Sequence, residues 1–159
     1  MHPTKELGGY LKAFLNAQVT AETYSMEFEA IYQPVPGMAS TDQLGNDLRV
    51  VVSPVSWDRE WSTRDPSNFA DDITMSIGVI QKLPAGVSWD SEAAATWIDA
   101  RHELVAEIMQ SLAFARDETN FPDFTGSTPT NPILIDQASL VGAPHVFTSV
   151  IQITFNRNE

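Results

Sequence analysis

The chain contains no cysteine. That excludes a disulfide framework and any thiolate metal site, and it fits synthesis in a reducing cytosol. Basic residues are scarce: nine Lys and Arg stand against 21 Asp and Glu, a formal net charge of −12. The nine are scattered, with no run or cluster. A protein that grips nucleic acid needs a cationic stripe to release counterions, and this chain has the opposite field. It repels phosphate backbones and anionic membrane surfaces, which is useful where DNA must pass without sticking. No stretch approaches the roughly 20 apolar residues needed to span a bilayer. The start, MHPTKELGGYLKAFL, lacks a basic region ahead of a long apolar run and does not read as a secretory signal.

Signatures of catalysis are missing too. HELVAE at 102–107 begins like a zinc-protease helix, but the position of the second histidine is Ala106, so the motif fails and His102 is expected to face solvent. There is no G-x-S-x-G elbow, and the eight glycines never fall in a phosphate-cradling spacing. Asp71 and Asp72 form an acidic pair that can bind a cation, but a solvated strand entrance is the commoner role of such a pair. No catalytic residue, metal ligand or cofactor is assigned.

What is present is an ordinary globular composition: 159 residues, 43% hydrophobic and 19% charged, enough for one domain with a sizeable core. Leu7, Tyr10, Leu11, Phe14 and Leu15 recur at helical spacing over 4–19, with Thr4 as N-cap and Gly8-Gly9 as a weak point. Residues 23–33 alternate, with Tyr24, Met26, Phe28, Ala30 and Tyr32 on one face of a strand. Residues 34–47 read as a loop. Residues 48–56 are a β-branched strand that ends near Pro54, at an edge or bulge. Ile73, Met75, Ile77 and Val79 share one face of a strand over 73–83. A long helix follows near 89–116, capped by Ser88, and 116–132 is a long polar loop. A short strand at 133–140 and a final strand at 145–156 complete the pattern. The order predicts a single α+β domain over 1–159: a mainly antiparallel sheet with two helices on one face.

One stretch does not fit an ordinary core strand. WDREWSTRD places two Trp, two Arg and three acids in nine residues, 57–65. In an extended chain Trp57, Arg59 and Trp61 share one face and Asp58 and Glu60 the other. Trp and Arg are enriched at the energetic centres of protein interfaces. Trp57, Arg59, Trp61 and Arg64 are therefore the candidate contact residues. Phe121 and Phe124 join them, because their loop is too polar to read as core.

The run LRVVVSPVSWDREWSTRDPSNFADDITMSIGVIQKL (48–83) resembles the tail-terminator and related neck proteins of tailed bacteriophages. The features are a β-branched strand, a Pro, a polar ribbon ending near an Arg, and an alternating strand closing on a Lys. ELVAEIMQSL (103–112) and HVFTSVIQITFNRN (145–158) are similar to that family in the same order. The extended 34–47 segment and the 116–145 region depart from it. The resemblance implies a small non-catalytic α+β protein that forms a hexameric ring on the tail tube, stops its polymerisation and meets the head connector. Its partners are then its own copies, the tail tube protein and a connector or neck protein, with DNA passing through the lumen and no membrane involved. Its location is the virion, after assembly in the bacterial cytoplasm. Three other expectations stand beside this one: another neck component, such as a head-completion or connector-joining protein; a small-molecule-binding module built from Trp57, Trp61 and Tyr32; and a hydrolase with an acidic site around Asp71 and Asp72.

Overall fold

A computed structural model of the chain describes residues 2–35, 47–65, 67–116 and 119–158. Helix α1 spans Pro3–Thr20, followed by strands β1 (Glu29–Tyr32), β2 (Arg49–Trp61) and β3 (Phe69–Lys82). Helix α2 (Glu92–Ala115) leads to the short strands β4 (Thr125–Gly126) and β5 (Thr130–Ile133), a single-turn helix α3 (Gln137–Val141) and the long strand β6 (Val146–Asn158). The strands form one sheet in the order β1-β2-β3-β6-β4, with β5 also on β6. Among the described residues, only the β1–β2 pair is parallel. The fold is α+β, as the order of elements predicts.

The core lies between the two long helices and one sheet face. Leu7, Leu11, Phe14 and Leu15 from α1 and Leu104, Val105, Ile108 and Leu112 from α2 belong to one buried cluster. Ala30, Val50, Val52, Ile73, Met75, Ile77, Val79, Phe147, Ile151, Ile153 and Phe155 join it from the strands. Each such side chain, fully buried, contributes about 1.5–3 kcal/mol relative to exposure. Gly8 has a packing role beyond its helix-weakening tendency. A Cβ there would lie 2.3 Å from the Tyr32 ring, so glycine lets β1 approach the helix.

Several boundaries differ from the sequence expectation. Helix α1 is capped by His2, not Thr4: the His2 Nδ1 accepts from the Thr4 N–H at 3.3 Å, and Pro3 occupies a position that needs no donor. Strand β1 is only four residues long. Residues 23–28 are held by side chains instead, with Tyr24 Oη 2.6 Å from Ser111 Oγ and the Ser25 N–H donating to Glu107 Oε2 at 3.1 Å. Pro54 does not end β2: a bulge between Pro54 and Ser56 absorbs it, and the strand continues to Trp61. Ser91, not Ser88, caps α2, accepting from the Ala94 N–H at 3.1 Å. The expected strand at 133–140 gives way to α3, which Asp136 caps. Of the loop expected at 34–47, residues 36–46 lie outside the described residues.

Candidate functional site: the β2–β3 hairpin

Beyond the bulge, β2 and β3 continue as the two arms of a hairpin, with β6 still paired to β3 on its other side as far as Ala70. Trp57 pairs with Ile73, Arg59 with Asp71 and Trp61 with Phe69. The turn closes through the Ser62 N–H to Asn68 O bond at 2.9 Å. Inside it, the Asp65 carboxylate accepts from Ser67 N–H at 3.0 Å and Ser67 Oγ at 2.6 Å. These bonds to Ser67 lower the Asp65 pKa. The extra residue of the bulge shifts the alternation by one, and the side-chain period of two then keeps Trp57, Arg59 and Trp61 on the face that, nearer the sheet centre, is the core face.

There the face changes character. Asp71 lies in phase with Ile73 and Met75 and is 0% exposed. Its Oδ1 accepts from Trp57 Nε1 at 3.0 Å and Arg59 Nε at 2.6 Å. Its Oδ2 accepts from Arg59 Nη2 at 2.8 Å and from Arg157 Nη2, on β6, at 3.0 Å. Arg157 in turn reaches Glu6 of α1 at 3.3 Å, and Tyr10 donates to that carboxylate at 3.2 Å. The Arg59 fork beside Asp71 holds the carboxyl at about 2, with the Trp57 and Arg157 bonds adding to the effect against the opposing cost of burial. Asp71 thus joins the hairpin to the last strand, and Arg157 carries the link on to Glu6 of the first helix.

The same guanidinium orders the aromatics. Arg59 stands 3.8 Å from the Phe69 ring centroid, 5.1 Å from that of Trp57 and 5.2 Å from that of Trp61. Trp61 packs edge-on to Phe69 at 5.6 Å, and His2 packs edge-on to Trp57 at 4.6 Å. Even so, Trp57 remains 42% and Trp61 54% exposed. Both are fixed in place yet half in solvent. Arg64 is exposed in the turn and does not join the network around Asp71.

Four sequence expectations need correction. Phe121 and Phe124 are fully buried. Pro122 and Asp123, at φ 71°, make a tight turn closed by the Phe124 N–H to Phe121 O bond at 2.9 Å. That turn drives both rings inward, Phe121 onto Phe155 at 5.0 Å and Phe124 onto Tyr10 at 6.3 Å and the Arg157 guanidinium at 5.1 Å. Asp71 is not a solvated strand entrance, and its neighbour Asp72 points to the opposite, exposed face. Both Asp71 oxygens are occupied by cationic or N–H donors, so the pair is not arranged as an acid–base dyad. His102 does not face solvent: its ring lies 5.5 Å from Phe147, and its Nε2 is buried. Tyr32 does not converge with the tryptophans. It sits opposite Val52, roughly 15 Å along β2 from Trp57 at about 3.3 Å per residue.

Arg157 was the residue missed, and for Asp71 and Arg59, both singled out, it was their pairing that went unread. Asp71 and Arg157 are each in phase with apolar neighbours on their strands, and that phase was the available signal. Among the described residues, no group of three or more His, Asp or Glu side chains is placed to hold a metal ion. No helix among them is long and apolar enough to cross a membrane. No protein-family model matches the chain, and no curated protein matches it.

Proposed function

We propose that this chain is a structural virion protein that forms a ring, of six subunits, at the head–tail junction of a tailed bacteriophage. It ends the tail tube, joins it to the head connector and lets DNA pass. The observation that carries this reading is the hairpin: two half-exposed tryptophans held rigid from below by a buried ion network. Exposed aromatics fixed before binding lose little entropy on docking, which is what a contact surface needs. The charge supports the same reading. Six copies bring 6 × −12 = −72 to a ring, so DNA in the lumen is repelled from the wall. Head-to-tail contacts of one surface on a different surface of the next copy close into such rings. No step of this role needs a catalytic residue or a cofactor.

The test is electron microscopy of the purified protein mixed with tail tubes. Rings seated on tube ends, and loss of those rings in Trp61→Ala/Arg64→Ala, are the expected outcome. Single copies or two-fold dimers on the tubes would overturn the reading.

A further inference from the structure

Helix α1 is the cationic exception on an acidic chain. All nine cations are among the described residues, and only Lys5, Lys12 and Arg64 are exposed. Arg64 lies in the hairpin turn, whereas Lys5 and Lys12 stand two turns apart on the outer face of α1. The one acid of that helix, Glu6, is bonded to Arg157 and Tyr10. Neither lysine enters the ion pairs among the described residues. The face between them is hollow. A Cβ added at Gly9 would meet nothing within 4 Å, and a depression of about 590 Å³ is lined by Lys5, Glu6, Gly9 and Tyr10.

The counter-surface is on the same chain. On the hairpin face opposite the tryptophans, Asp58 stands directly across from Asp72, with Glu60 beside them, all exposed. Like charges directly opposite in a ladder are destabilising, and a cation set against them relieves this. Each copy meets the next with a net charge of −12, so a contact between copies needs cations set against carboxylates. Lys5 and Lys12 are the exposed cations outside the hairpin itself. They lie about 10 Å apart along the helix, at about 1.5 Å per residue. Asp58 and Glu60 lie about 7 Å apart along β2, a difference that flexible lysine stems take up. The two surfaces are different, so the contact is head-to-tail and repeats from copy to copy around a ring.

We infer that the Asp58, Glu60 and Asp72 face of one copy docks on the Lys5 and Lys12 face of α1 in the next. The charge pairs fix the register of that contact. The inference rests on the ring reading and names the two surfaces that meet in it. Trp57 and Trp61, on the other face of the hairpin, take no part in this contact.

The test is a charge exchange, read as rings on tail tubes in micrographs with thermal unfolding recorded alongside. Lys5→Glu/Lys12→Glu and Asp58→Lys/Glu60→Lys alter only exposed side chains, so both should unfold like the wild type. Each alone sets like charges together and should need about tenfold more protein, or above, to cap tubes. An equimolar mixture of the two should cap near the wild-type concentration, because alternating copies restore lysine against acid at every contact of an even ring. The chain has no cysteine, so Lys12→Cys copies mixed with Glu60→Cys copies report the contact directly. On capped tubes under mild oxidation, the mixture should give covalent dimers that neither variant gives alone. The inference is overturned if either charge variant caps like the wild type, or if the mixture caps no better than its components. Capped tubes without the cross-link overturn it, as does early unfolding of a charge variant, which would assign those charges to the fold. Each of these results, beside wild-type rings, leaves the ring standing. A wild-type chain that forms no rings on tubes overturns both readings.

Discussion

Two aromatic pairs sit at the same end of the sheet, on opposite sides of one ion network. Trp57 and Trp61 lie on the Arg59 side of Asp71; Phe124, with Phe121 beside Phe155, lies on the Arg157 side. The phenylalanines are sealed between α1 and β6, whereas the tryptophans stay about half in solvent. The difference lies in what covers each pair. Helix α1 and the returning 121–124 turn close over the phenylalanines. Over the distal hairpin, His2 is the aromatic neighbour that α1 supplies to Trp57. Aromatic rings therefore do two jobs here: they fill space where a second layer exists, and they present a surface where none does.

Breaking the sealed side should have the largest effect. Phe121→Ala or Phe124→Ala is expected to cost about 3–5 kcal/mol of folding stability, the usual range for a large buried aromatic. Chemical denaturation measures this directly. A cost below about 1 kcal/mol would place these rings on the surface.

Next in size is the anion between the two pairs. Asp71→Asn leaves the Arg59 and Arg157 guanidinium groups without their common carboxylate. Removing one partner from a buried charge network typically costs about 3 kcal/mol or more. The hairpin should loosen first, so the Trp57 and Trp61 fluorescence should change ahead of global unfolding.

The pH dependence follows from the same group. The Asp71 carboxyl is held at about 2, below its ordinary 3.8. A depressed carboxyl adds stability that is fully present above its unfolded value and is lost as pH falls through the folded one. The contribution is roughly 2 kcal/mol, from about 1.4 kcal/mol per pH unit of displacement. Stability should therefore drain between about pH 4 and pH 2. Asp71→Asn should flatten that limb. An unchanged acid limb in the variant would show that other carboxylates carry it.

Much of this contrast was legible in the sequence, and the exceptions have a common cause. Alternation located the strands and the 3.6-residue period located both long helices, because those patterns follow from one-sided burial. The polar composition of 116–132 misdirected the reading of Phe121 and Phe124. Its Pro, Asp, Thr and Asn supply a tight turn and strand ends, not a solvated excursion, and two buried rings suffice to anchor it. The hairpin was legible as a ribbon with Trp57, Arg59 and Trp61 on one face. What the sequence concealed was that Arg59 on β2 and Arg157 on β6 flank one carboxylate, Asp71 on β3 between them, a juxtaposition that only the β2–β3–β6 register creates.

The smallest expected effect on folding is on the open side. Trp61→Ala loses its edge contact with Phe69 and its place beside Arg59, together worth about 1 kcal/mol at a half-exposed site. Arg64→Ala, in the exposed turn, adds little, as surface changes usually stay within about 0.5 kcal/mol. The association penalty should be larger, about 2 kcal/mol or more per contact if these residues form a hot spot.

The most direct measurement is the fraction of tail tubes capped by the Trp61→Ala/Arg64→Ala protein, counted in micrographs of a preparation whose thermal unfolding is recorded alongside. A hairpin that serves as a contact surface predicts near-normal unfolding and tubes left uncapped. Normal capping by the intact variant, or a variant that fails to fold, would contradict it.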